Sequence, residues 1–223
     1  MTGNHQEIIE YKGIFYLQEN GKKVKFKPWL GDLFSFLYDP IMEKSIFPKK
    51  FQASMETHIQ FLQNQYSDFH DKSVLELAVG SGSTSELLPA DNSYTGIDIS
   101  EGLLKKARKK FLEAGFQNFQ LYLCGAEEIP LKENIFEVCI CNLSLNFFPD
   151  LGKVIQEMKR LLKQQGVFIC SVPVPERNHK KSVIRGNLYT EKELKELLEK
   201  YSFQYKSFEI QNGALLYFRG ESI

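Results

Sequence analysis

A chain of 223 residues with 43% hydrophobic content is long enough for one α/β domain with modest appendages, and too apolar to be disordered. Its 28 Lys and Arg balance 28 Asp and Glu, so long-range attraction to a polyanion is not built into the chain as a whole and a nucleic-acid substrate is not expected. No apolar stretch approaches the roughly 20 residues that span a bilayer, and the first residues lack the apolar centre of a secretion signal, so the expectation is a cytoplasmic protein without stable membrane insertion.

Near the N-terminus, residues 8–17 and 22–26 flank Asn20-Gly21, the strongest short-range signal for a tight hairpin, and predict a small β-ribbon. An aromatic run follows, with Trp29, Phe34, Phe36 and Tyr38, and Ile41, Met42, Ile46 and Phe47 continue the apolar theme. Such density should lie over something apolar, as a helical lid would.

The apolar run 74–79 enters Gly80-Ser81-Gly82, with Glu76 just before the turn. Two glycines one residue apart let the backbone bend tightly and approach a ligand, and the amides opening the next helix favour electron-rich groups. A dinucleotide pattern would place a third glycine at Ser85. The second apolar run, 94–97, delivers Asp98 at the distance where a strand-end carboxylate holds ribose hydroxyls; the rival role for Asp98 is an N-cap for helix 101–111. Residues 136–142 read as a buried strand, 151–165 as an amphipathic helix closed by Gly166, and 167–172 as another strand.

A polar, Pro-rich and basic loop, 173–186, interrupts this alternation, and loops of that length are often functional. Its Arg177, Lys180, Lys181 and Arg185 fall near predicted strand ends, where open α/β sheets bind ligands, whereas the cations of 105–110 read as a solvated helix face. Thr190 and Glu193 form a capping box ahead of a helix. Residues 203–209 and 214–219, joined through Asn212-Gly213, read as an antiparallel hairpin. Cys124, Cys139, Cys141 and Cys170 lie in or beside predicted core strands and should be small core hydrophobes without disulfides; no second pair or His cluster makes Cys139 and Cys141 a metal site.

With strand, glycine turn, helix, strand and acid in order, the chain resembles the class I S-adenosylmethionine-dependent methyltransferases, whose first motif runs acid-x-Gly-x-Gly-x-Gly. Glu76, Gly80 and Gly82 match it, and Ala78 stands where the family has its first glycine. The resemblance covers residues 72–173, including 124–131 after the third strand, with Cys124 where many relatives have Asp, and the loop 143–150, with Asn146 where many small-molecule enzymes have His. Residues 38–50 are similar to the quinone- and phospholipid-type enzymes.

The resemblance implies an α/β, Rossmann-like seven-stranded sheet with an antiparallel C-terminal hairpin and helices on both faces. An N-terminal β-hairpin and helical lid (1–70) would precede a methyltransferase core (71–223). It implies S-adenosylmethionine as cofactor. Ala78, Gly80 and Gly82 would meet its aminoacyl end, Glu76 would orient the loop or the ammonium group, and Asp98 would hold the ribose. Ile99 would press on the adenine face with Ala126 and Glu127 at its edge, and Asn142 would offer its carbonyl to the methionine amine. Tyr38 and Asn146 would act catalytically, with Tyr38, Asn146, Phe147 and Arg185 around a small, partly apolar acceptor. Such an enzyme mainly aligns its reactants and excludes water; if a base is needed, Tyr38, Asp39 or His58 could serve. No carboxylate cluster suggests a metal, and the Asn/Asp-Pro-Pro-aromatic loop of enzymes that methylate base amino groups is missing. The expected assembly is a monomer or homodimer. The alternatives are a noncatalytic S-adenosylmethionine-binding regulator and an NAD-dependent oxidoreductase.

Overall fold

The computed structural model describes residues 7–24, 26 and 38–223. The aromatic run before Tyr38 lies outside the described residues, and Tyr38 is described only in its backbone. The strands are β1 (Glu7–Tyr11), β2 (Ile14–Glu19), β3 (Lys22–Lys23), β4 (Ser73–Leu77), β5 (Ser93–Asp98), β6 (Phe119–Leu123), β7 (Phe136–Asn142), β8 (Leu162–Pro173), β9 (Phe203–Ser207) and β10 (Leu215–Ser222). The helices are α1 (Tyr38–Ile41), which continues as a wider π-helix over Met42–Phe51, α2 (Met55–Tyr66), α3 (Glu101–Glu113), α4 (Leu151–Leu161) and α5 (Glu191–Lys200).

One sheet runs in the order β1-β2-β6-β5-β4-β7-β8-β10-β9, with β3 on β2. The stretch from β6 to β9 is the expected seven-stranded sheet. Its inner strands are parallel, and β10 lies antiparallel between β8 and β9. Parallel strands covered on both faces need near-continuous apolar sequence, which the Val-Leu-x-Leu run of β4 and the Val-Cys-Ile-Cys run of β7 supply. Leu75, Leu77, Cys139, Cys141 and Phe168 face α4 and α5, while Val74, Val138, Ile140 and Ile169 face α2 and α3. The four cysteines are free and buried.

Three elements differ from the sequence reading. The run 8–17 is two strands, because Lys12 and Gly13 both take left-handed φ (52° and 75°), as do Asn20 and Gly21 (52° and 72°); paired left-handed residues make a turn whose twist suits a two-residue hairpin. The resulting ribbon extends the main sheet, since β2 runs parallel to β6 and Phe15 stacks on Tyr122 at 4.8 Å. After β4 the expected helix is only a 3₁₀ turn, Ser83–Glu86. Its polar side chains bond locally, Ser85 to the Gly82 carbonyl at 2.7 Å and Thr84 to Glu76, competing with helix propagation. Finally, α4 ends at Leu161 because Leu162 turns extended and pairs with Phe136 in the sheet.

Candidate active site at the carboxyl ends of the strands

The glycine turn is tied to the next strand by Val79 N–H donating to the Ile97 carbonyl at 2.9 Å. Ala78, Gly80 and Gly82 have φ of 53°, 56° and 81°. Gly82 is required twice over: a Cβ there would lie 2.6 Å from the Ala107 Cα of α3, so its close approach is to that helix. Ala78 keeps the left-handed backbone of the glycine it replaces, at a cost of about 1–2 kcal/mol. Ala78→Gly should therefore raise the thermal midpoint by a few degrees, part of the relief being offset by glycine's greater unfolded-state entropy. Calorimetric melts check this, and an unchanged or lower midpoint would count against strain at Ala78.

Asp98, the last residue of β5, is buried and holds the turn in shape. Its Oδ2 accepts from Gly80 N–H and its Oδ1 from Ser100 N–H, both at 2.8 Å. The N-cap of α3 is Ser100, whose hydroxyl accepts from Leu103 N–H at 3.2 Å, so Asp98 is not spent as the cap. Ile99 is 45% exposed, unusual for an isoleucine at a strand end, and stands beside Asp98.

Glu76 lies beneath the turn, buried, accepting from Thr84 Oγ1 at 2.7 Å and from the Tyr94 hydroxyl. Burial pushes its carboxyl up to about 7, Asp98 adds to the rise, and the two hydroxyls oppose it. Of its two expected roles, bracing the loop is the one its contacts display. The same floor contains Tyr66, whose hydroxyl accepts from Asn142 Nδ2 at 2.9 Å, and Ser171, which donates to Asn142 Oδ1 at 3.1 Å.

The turn is also joined to α1. Ser81 Oγ donates to Asp39 Oδ1 at 2.5 Å, and Lys106 and Lys110 of α3 reach Asp39 Oδ2 at 2.8 and 3.4 Å. These two lysines leave the solvated face assigned to them; Lys105 and Lys109 pair along the helix with Glu101 and Glu113. Burial raises the Asp39 carboxyl, but Lys106, Ser81 and Lys110 outweigh it and leave it below the usual range, a poor setting for a general base. His58 is not at the site: it packs against Phe47 and Tyr217, its Nδ1 lies 3.2 Å from the Tyr217 hydroxyl, and burial lowers it to about 4. Asp39 is a brace and His58 a core residue. The contact through Asp39 places the backbone of Tyr38 next to the turn.

Beyond β6, Ala126 is buried and Glu127 curls over Gly125, its Oε2 3.0 Å from where a Cβ would stand. This segment is clamped by α4. Glu157 Oε1 accepts from Ile129 N–H at 2.7 Å, and Arg160 donates to the Ile129 and Leu131 carbonyls at 2.9 and 2.8 Å. The sequence reading missed that clamp; its one signal was an acid and a base three residues apart on an apolar helix.

Beyond β7, Leu143 takes φ 58° and a 3₁₀ turn spans Leu145–Phe147. Asn146 is 1% exposed and Phe147 51% exposed. Asn146 Nδ2 donates to the Arg185 carbonyl at 2.6 Å and its own carbonyl accepts from Asn187 N–H at 2.7 Å, which brings the basic loop onto the turn. Gly186, at φ 92°, has no room for a Cβ against Asn146. Asn146 Oδ1 is buried and has no hydrogen-bond partner among the described residues. Arg177, expected among the ligand-binding cations, instead holds the Ile210 and Leu215 carbonyls at 3.1 Å and meets Glu191 at 3.5 Å.

Residues 68–217 match the methyltransferase domain family. Among individual proteins, the chain is similar to the ubiquinone/menaquinone biosynthesis C-methyltransferase of Rickettsia bellii, 32% identical over 45% of this chain and 44% of that protein. The Rickettsia felis enzyme of the same name is 33% identical over 44% and 42%. The chain thus spans less than half the length of these curated relatives. Among solved structures, an S-adenosylmethionine-dependent methyltransferase from Clostridium acetobutylicum superposes with a TM-score of 0.66 at 15% identity, over 85% of this chain and 98% of that one. One from Aquifex aeolicus gives 0.64 at 16%, over 89% and 100%. Both share the fold. By its match across two thirds of its length, by its sheet order and by its turn after the first core strand, the chain belongs to the methyltransferase domain family.

Proposed function

We propose that the protein moves a methyl group from S-adenosylmethionine to a small, partly apolar acceptor by in-line displacement. The residues present fit this cofactor: a turn with left-handed residues at alternate positions, an acid at the next strand end, an exposed isoleucine beside it and a buried carboxyl beneath the turn. When bound, the cofactor supplies a methyl carbon already attached to a sulfonium leaving group. The chain's task is then alignment and exclusion of water. Asp98 would take the ribose, Ile99, Ala126 and Glu127 the adenine, and the turn with Asn142 the aminoacyl end. Residues 1–70 would include the lid over the core 71–223, with Tyr38 set beside the turn, and the enzyme would work in the cytoplasm as a monomer or homodimer.

The acceptor half of this reading is carried by Asn146 Oδ1. The Arg185 carbonyl, at 2.6 Å, fixes which end of the amide is nitrogen, so the oxygen has to point the other way, where the described residues supply no donor. An unpartnered buried acceptor costs about 1–3 kcal/mol, a cost that an O–H or N–H of the substrate would remove. A hydroxylated ring methylated at carbon has that donor beside the reacting atom, and C-methylation is what the names of the Rickettsia relatives describe. Asn146→Ala should lower kcat/KM for a hydroxylated acceptor by about 10- to 100-fold while S-adenosylhomocysteine still binds by calorimetry as in the parent. Equal losses in both would move Asn146 to the cofactor side. Failure of both S-adenosylmethionine and S-adenosylhomocysteine to raise the melting temperature of ligand-free protein would sink the whole reading.

A further inference from the structure

We propose that the face formed by the end of the π-helix and the loop 178–187 docks on an anionic lipid surface. Gln52, left-handed at φ 56° where the π-helix ends, is the link. Its Nε2 donates to Asn178 Oδ1 at 3.0 Å and to Ser182 Oγ at 2.5 Å, and its Oε1 accepts from Lys180 N–H at 3.3 Å. That junction holds the loop carrying Lys180, Lys181 and Arg185 on the end of the helix that carries Lys49 and Lys50. All five are exposed, and among the described residues none of them is in an ion pair, whereas Lys72, Lys106, Lys110 and Lys163 all reach carboxylates. The acids closest along the loop are occupied: Glu176 accepts from Glu191 N–H, and Glu191 meets Arg177.

In a chain whose charges sum to zero, five cations on this face without counter-ions among the described residues make a local positive surface that the composition hides. A lipid headgroup layer fits it better than a nucleic acid because the patch carries apolar points as well. Val183, between the lysines and Arg185, is 76% exposed, and Phe147, next to the Asn146 that pins the loop, is 51% exposed. Cations flanking exposed apolar side chains suit an interface in which the charges meet headgroups and the apolar tips enter the acyl boundary. Among the described residues no helix is long and apolar enough to cross a membrane, so the contact is peripheral. The patch borders the loop that carries Asn146, so an apolar acceptor dissolved in the lipid would have a short path to the site; that purpose rests on the proposed function, while the docking does not.

The test is sedimentation of the intact protein, without cofactor, on vesicles of phosphatidylglycerol mixed with phosphatidylcholine and on vesicles of phosphatidylcholine alone. Binding is expected to the first and not to the second, and to be weakened by salt as exposed charges are screened. Replacing Lys49, Lys50, Lys180 and Lys181 together by Gln, with Arg185 left in place, should lower the partition coefficient by about fivefold for each cation removed. These side chains are exposed, and an unchanged melt would verify the fold of the variant. Val183→Ser should weaken the binding that survives high salt. Absence of binding to anionic vesicles at low salt, equal binding by the Gln variant, or binding to a duplex oligonucleotide with none to vesicles would each overturn the proposal. Asp98→Ala serves as the control, since it should bind the cofactor more weakly and keep vesicle binding.

Discussion

Asp98→Ala is expected to weaken S-adenosylmethionine binding by about 1–3 kcal/mol, roughly 5- to 150-fold, and to lower the stability of the free protein as well. The two effects have separate origins. The carboxylate is the acceptor for Gly80 N–H and Ser100 N–H, each at 2.8 Å, so alanine leaves two backbone donors without their partner at the point where the glycine turn meets β5. The affinity loss comes from the ribose hydroxyls that the proposed function assigns to the same group. Asn in place of Asp separates them: its amide oxygen can still serve one backbone donor, but its NH₂ faces the other, so half the bracing is restored while the charge is gone. Titration calorimetry with S-adenosylhomocysteine gives the affinities and thermal melts give the stability. A variant with lower stability and unaltered affinity would leave Asp98 as a brace alone and remove it from the cofactor site.

What could be read from the sequence follows from how local each determinant is. Glu76, the glycine turn and Asp98 were legible because a strand, a turn and the next strand are consecutive, and the capping box of Thr190 and Glu193 forms as its spacing predicts. Asn20-Gly21 was recognised and Lys12-Gly13 was not, although both take the same left-handed pair of conformations; only Asn carries a strong enough turn preference to be seen without its partner strand. The pairing of β2 with β6, the contact of Asp39 with Ser81 and the hold of Asn146 on Arg185 join positions far apart in the chain. No propensity reports such contacts. The end of α4 was missed for a related reason, because Leu162 satisfies its burial by pairing with Phe136 where the helical pattern would have accepted it equally well. The basic residues of 105–110 and 173–186 show the same limit, since which of them is paired depends on acids delivered by other elements.

Glu76→Gln should leave a protein that is more stable than the parent at neutral and alkaline pH, with the difference closing as the pH falls. The carboxyl, ordinarily near 4.5, is pushed up to about 7 by burial, so the folded state favours its neutral form. Below pH 4.5 the group is protonated folded and unfolded, and it costs nothing. Between 4.5 and 7 the unfolded chain has lost the proton while the folded one keeps it; stability falls as the pH rises, levelling off above 7 after a loss of about 3 kcal/mol. Gln does not titrate, and the hydroxyls of Thr84 and Tyr94 can turn to suit its amide, so the variant escapes that loss. Denaturant melts of both proteins from pH 4.5 to 8 measure it, and a difference that does not change with pH would show that Glu76 ionises freely in the fold. The same carboxylate gives the parent a pH-dependent affinity. A cationic ligand above the turn favours the ionised form, so binding of S-adenosylmethionine should release protons near pH 7, visible as a buffer-dependent binding enthalpy that Glu76→Gln abolishes. S-adenosylhomocysteine, lacking the sulfonium charge, should release fewer.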